Sequence, residues 1–159
     1  MKQRIINILN FMVKEEGQPT VKSYSEVSEN VFQLETFVSP SGHQTWLEYE
    51  VSPNEQILNV EIIHVFGRID LTASPTPIDG VQQLLLMLRK NTGSYQGSSA
   101  YIGVQQAKDG PILATLNTSQ NLLTKWGDED IAKSLHVSFM GLIQNVMFTN
   151  SALTILKLT

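Results

Sequence analysis

The sequence predicts an α+β fold, an antiparallel sheet packed against helices in the order α-β-β-β-α-β-β-α. Three observations carry this. Residues 32 to 66 hold three runs of period-two alternation separated by the short turns SPSGH and SPNE. Residues 99 to 117, SAYIGVQQAKDGPILATLN, form a hairpin pattern in which Asp109-Gly110 supplies the positive φ of a tight turn. Apolar stripes at helical spacing stand before, between and after these strands, the pattern of helices laid on a sheet face.

In chain order, Ile5, Ile8, Leu9 and Met12 mark an amphipathic first helix, stopped by Gly17 and Pro19. The polar stretch from 18 to 30 reads as a loop or a short irregular strand. Phe32, Leu34, Thr36 and Val38 define the first alternating run, Thr45, Leu47, Tyr49 and Val51 the second, and Leu58, Val60, Ile62, His64 and Phe66 the third. Short turns between such runs mean an antiparallel meander with one buried face. Gly67 marks a bulge before Ile69 and Leu71. Ile78, Val81, Leu84, Leu85 and Leu88 form a second helical stripe ending in Arg89 and Lys90, cations suited to a helix C-terminus. The small residues of NTGSYQGSS read as a flexible connector, and Pro111 suits a strand start or an edge. Residues 117 to 126 read as a short helix. Asp128, Glu129 and Asp130 open a last long helix with the stripe Ile131, Leu135, Phe139, Leu142, Ile143 and Val146, and the closing ALTILKLT fits strand or helix equally.

The chain of 159 residues is read as one domain, large enough to bury roughly 70% of its unfolded surface without a metal or disulfide staple. It contains no cysteine, which excludes disulfides, thiolate metal sites and cysteine nucleophiles and suits a reducing cytoplasm. Eleven basic residues, scattered along the chain, stand against fifteen acidic ones, so no concentrated positive field exists for a nucleic acid backbone. No stretch approaches the ~18 apolar residues of a membrane span, and Asn7 and Asn10 interrupt the apolar run near the N-terminus. The expectation is a soluble cytoplasmic protein.

Candidate chemistry is sparse. His43, His64 and His136 lack metal-ligand spacing, and no phosphate loop, dinucleotide fingerprint or nucleophile elbow occurs, so neither cofactor nor metal is expected. His43 reads as a solvated turn residue and His136 as a flank of the last helix. His64 falls on the apolar face, where a core histidine bonded to the backbone is the simplest reading. It could instead line a ligand pocket with Tyr101 between sheet and helices, or act with Glu61 or Tyr49 in catalysis. Glu35, Glu48, Glu50 and Glu61 fall on the opposite face with Phe37 and Trp46. Carboxylates interleaved with aromatics have the character of an interaction surface able to receive a basic partner.

The helix GVQQLLLMLRK followed by the hairpin YIGVQQAKDGPILATLN, and the long closing helix DEDIAKSLHVSFMGLIQNVM, resemble in order and spacing the type III secretion chaperones and the related bacterial YbjN-like proteins. The resemblance implies a small acidic homodimer that binds extended protein segments or regulates partners and has no catalytic residues. On this basis the sequence is read as a non-enzymatic protein-binding domain, chaperone-like or regulatory. A small-molecule-binding sensory domain is the alternative. Partner binding is expected on Phe37, Trp46, Glu48 and Glu61. Dimerisation is expected on the second helical stripe, Ile78, Val81, Leu85, Met87 and Leu88, which has more apolar positions than one buried face requires.

Overall fold

The computed structural model describes residues 1–14, 21–36, 43–69, 94–95, 98–106 and 112–155. Helix α1 (Lys2–Lys14) leads into strands β1 (Val21–Ser28), β2 (Val31–Thr36), β3 (Gln44–Val51) and β4 (Ile57–Ile69). Strands β5 (Ser94–Tyr95), β6 (Ser98–Gln106) and β7 (Ile112–Leu123) follow, and helix α2 (Asp128–Ile155) closes the described chain. Every pairing is antiparallel, and the strand order is β1-β2-β3-β4-β7-β6-β5. The fold is α+β, as the alternation predicts. The second helical stripe, with Ile78, Val81, Leu85, Met87 and Leu88, lies outside the described residues, as does Phe37.

Three stretches differ from the sequence reading. The polar segment after α1 is a full edge strand: Tyr24 pairs with Leu34 and Glu26 with Phe32, with register breaks near both ends. Only Val21 of this strand is fully buried. An edge strand exposed along most of its length has no alternation to display. Residues 117 to 123 are strand, not helix. Strand β7 runs on to Leu123 because it must match thirteen-residue β4 along its length, and Leu116, Thr118 and Leu122 face inward at period two. Part of the glycine- and serine-rich connector is paired, Ser94 with Ser99 and Tyr95 with Ser98. At the end of the chain the ambiguity resolves towards helix as far as Ile155.

Turn chemistry follows the sequence. Glu29 and Asn30 link β1 to β2, and Asn30 takes φ 62°, a left-handed conformation asparagine tolerates. Between β3 and β4, Ser52 organises the turn. Its N–H donates to Ile57 O at 2.9 Å, its Oγ accepts from the Ile57 N–H at 3.0 Å, and its carbonyl accepts from the Glu55 N–H at 2.8 Å. The expected bulge at Gly67 is present: the β4–β7 register shifts between Val65 and Arg68.

The helices cover one sheet face. Ile5, Ile8, Leu9 and Met12 of α1 and Ile131, Leu135, Phe139, Leu142 and Val146 of α2 are buried in a single core with Phe32, Leu34, Leu47, Leu58, Val60, Ile62 and Leu116. Arg4 joins the two helices across 124 residues. Its Nε donates to Asp128 Oδ1 at 2.8 Å, and its Nη1 and Nη2 donate to the Thr124 and Trp126 carbonyls, each at 2.7 Å. One planar guanidinium thus fixes the β7–α2 turn and the acidic first turn of α2 together, a geometry lysine cannot reproduce. No helix among the described residues is long and apolar enough to cross a membrane.

Packing of this kind predicts a steep contrast along α2. Phe139 is 1% exposed and Met147 is 59% exposed. Phe139→Ala should destabilise the fold by about 3–5 kcal/mol in urea unfolding, and Met147→Ala by no more than about 0.5 kcal/mol. Equal effects would show that α2 does not lie on the sheet in this orientation.

Candidate functional site

Since side chains alternate across a strand, the registers decide which residues meet on each face. On the face away from the helices, Gln33, Trp46, Ile63 and Asn117 form one continuous cross-strand row, continued at the β6 backbone by Tyr101. The next row is Val31, Glu48, Glu61 and Ser119. Beyond it lie Glu50, Asn59 and Asn121, and then Ile57 opposite Leu123. The expected surface residues Trp46, Glu48 and Glu61 are therefore neighbours, with Glu50 beside them.

This open face has internal order. Asn117 Nδ2 donates to Glu61 Oε1 at 3.0 Å, and Asn59 Nδ2 donates to Asn121 Oδ1 at 2.8 Å. Glu48 and Glu61 stand directly opposite each other, a like-charge cross-strand pair that works against sheet stability. A trough of about 400 Å³ runs over this acidic belt, lined by Glu29, Val31, Glu48, Glu50, Asn59 and Glu61. Apolar side chains flank the belt: half-buried Trp46 and Ile63 on one side, and exposed Ile57 and Leu123 on the other, with exposed Trp126 following β7. The sequence reading missed the second apolar pair, because Leu123 was assigned to a helix.

On the helix side the alternation reverses. His64 is 2% exposed and pairs in register with Thr45 and Leu116. Its Nδ1 lies 2.9 Å from Thr45 Oγ1 and its Nε2 lies 3.0 Å from His43 Nδ1. Phe66 stands edge-on to both rings, with centroids 4.8 Å from His64 and 5.5 Å from His43. The core assignment of His64 holds, but its partners are side chains and not the backbone. His43 is correspondingly no free turn residue. Extending the alternation of β3 back two places from Thr45 would have put it inward.

Register also separates residues that the other readings of His64 need together. Glu61 sits on the open face, while His64 points into the core. Tyr49 shares the inner face with His64 but pairs with Val60, four residues, or roughly 13 Å, along β4. The His64–Glu61 pair is thus not assembled, and the side chain of Tyr101 lies outside the described residues. No cluster of three or more potential metal ligands occurs among the described residues. Among the described residues, a groove of about 630 Å³ lies between α1 and the start of α2, where Lys14 and Lys133 face Asp128, Glu129 and Asp130.

No family model matches the chain, and no curated protein matches it. Among solved structures, the chain is similar to the crystal structure of YbjN from E. coli, described as a candidate transcription regulator, with a TM-score of 0.52 over 92% of this chain and 91% of that one. At 11% identity the likeness is one of fold.

The histidine pair predicts a pH dependence of stability. Burial, and then the neighbouring charge of His43, lower the His64 pKa from 6.5 to about 4, and burial lowers His43 as well. Between those values the unfolded chain binds more protons than the folded one. This contribution is therefore complete above about pH 6.5 and is lost as pH falls towards 4. The expected loss is roughly 2 kcal/mol between pH 7 and pH 5, measured by urea unfolding, and His64→Gln should flatten the slope. An unchanged slope in His64→Gln would contradict the buried neutral pair.

Proposed function

We propose that this chain is a non-enzymatic protein-binding domain, regulatory or chaperone-like, that receives its partner on the open face of the sheet. The observation that carries the reading is the asymmetry of the sheet. Both described helices pack on one side, and the other side carries half-buried Trp46 and Ile63 and exposed Ile57 and Leu123 around an ordered acidic belt. Solvent alone gives no stability reason to keep aromatic and branched apolar side chains on an outer face. Desolvating them against a partner does, at roughly 25 cal/mol per Å² of apolar surface buried.

The fold likeness to YbjN supports a regulatory role over a catalytic one, since that protein is described as a candidate regulator. The chain is proposed to work in the cytoplasm as a small acidic homodimer. Its dimer contact would be the stripe Ile78, Val81, Leu85, Met87 and Leu88, because two copies of the acidic face would repel. Type III secretion chaperones are the model for the chaperone-like form of this activity.

Two measurements test the reading. Light scattering at micromolar concentration should give the mass of a dimer, and a strict monomer would remove that part of the proposal. Affinity capture from the source cell should recover a protein that the Trp46→Ser/Ile63→Ser variant recovers at least about tenfold less, the equivalent of ~1.4 kcal/mol. Equal recovery by both, or no captured protein, would contradict binding on this face.

A further inference from the structure

We infer that the groove where the start of α1 meets the β1–β2 turn is a binding site for a primary alkylammonium group, held by Glu29 and the Tyr49 hydroxyl. The site lies apart from the Trp46–Ile63 row and does not depend on protein binding there. The groove measures about 610 Å³, and its lining includes Met1, Lys2, Glu26, Glu29, Tyr49 and Val51. Two contacts shape it. The Tyr49 N–H donates to the Asn30 carbonyl at 3.1 Å, which draws the turn carrying Glu29 against β3. Lys2 Nζ meets Glu26 Oε2 at 2.7 Å, which ties the first turn of α1 to β1.

Tyr49 is the first argument. It is only 7% exposed, with its ring stacked on Phe32 at a centroid distance of 6.4 Å. The hydroxyl of so buried a tyrosine ordinarily has a partner. Among the described residues nothing hydrogen-bonds it, although Tyr49 lines the groove and the charges of Glu26, Lys2 and Glu29 all act on its hydroxyl. Phenylalanine would stack on Phe32 equally well. Packing therefore gives no account of the oxygen, whereas a donor lying in the groove does.

Charge selects the donor. Lys2 matches Glu26, but no lysine or arginine among the described residues pairs with Glu29, or with Glu50, which also lines the groove. The excess of negative charge repels an anion and favours a cation. An ammonium has three donors on a compact head, so it can give one to the Glu29 carboxylate and another to the phenol oxygen. Its hydrocarbon stem then lies on half-buried Val51. A guanidinium is a flat fork suited to both oxygens of one carboxylate, and it makes no use of a lone phenol oxygen.

The test titrates the intact chain with butylammonium, and with butanol as its uncharged counterpart, following backbone amide shifts by NMR. Butylammonium should shift residues 29–30 and 49–51 with a dissociation constant of about 1 mM or tighter, and butanol should not. Affinity should weaken about tenfold in Glu29→Gln and about fivefold in Tyr49→Phe. Tyr49→Phe should nevertheless melt within about 2 °C of wild type, because its hydroxyl has no protein partner to lose. Nα-acetyl-lysine amide and 1,4-diaminobutane, titrated in the same way, separate two sources of the group. Tighter binding of the first assigns the site to a lysine of a partner protein, and tighter binding of the second to a free diamine.

Equal binding of butanol, or undiminished affinity in Glu29→Gln, would overturn the charge argument. A much lower melting temperature in Tyr49→Phe would show that the oxygen serves the fold, and would overturn the assignment of Tyr49. No shift with any of the amines would overturn the inference.

Discussion

The pairing of β4 with β7 is the constraint on which the rest of the molecule depends. The two strands run antiparallel from Ile57 opposite Leu123 to Ile69 opposite Ile112, and they join the first half of the chain to the second. Asn59 meets Asn121 across 62 residues. Side chains alternate with period two, so a slip of one residue would exchange the faces: Leu58, Val60, Ile62 and His64 would go to solvent, and Asn59, Glu61 and Ile63 would go under the helices. Burial of the first set against α1 and α2 holds the register. The bulge between Val65 and Arg68 absorbs the mismatch at the far end.

From that register follow two environments of opposite character. Inside, the polar groups of His64 and Thr45 are nearly without solvent contact and are bonded to one another and to His43. A buried polar group costs little only when it is paired, so this cluster ties the start of β3 to the middle of β4 with a specificity that apolar packing alone lacks. Outside, Glu48 faces Glu61, which accepts from Asn117 Nδ2 at 3.0 Å, and Ile57 and Leu123 are exposed while Trp46 and Ile63 are half-buried. The inner face is arranged for stability. The outer one, with its directly opposed carboxylates, spends a little of it.

Much of this was legible in the sequence because β2, β3 and β4 carry clean alternation and α1 and α2 carry clean helical stripes. Trp46, Glu48 and Glu61 could be placed on one face from parity alone. What parity could not give was pairing between distant strands: that Ile63 joins Trp46 in one row with Asn117 is a property of the β4–β7 register. Strand β1 was ambiguous because an exposed edge strand has no buried side. The second half of β7 was misread because TSQNLL is polar and short, and only its neighbour β4 makes it a strand. The Arg4 clamp on Asp128 and on the β7–α2 turn was invisible for the same reason of distance.

The central claim is that helices cover one side of the sheet and the Trp46–Glu48–Glu61 side stays open for a partner. Carbodiimide and hydroxyl-radical footprinting of the free protein tests this residue by residue along β3. Trp46, Glu48 and Glu50 should be modified readily, while Leu47 and Tyr49 between them are protected. Protection of Trp46 and Glu48 in the free protein, or reactivity of the inner set, would contradict the account.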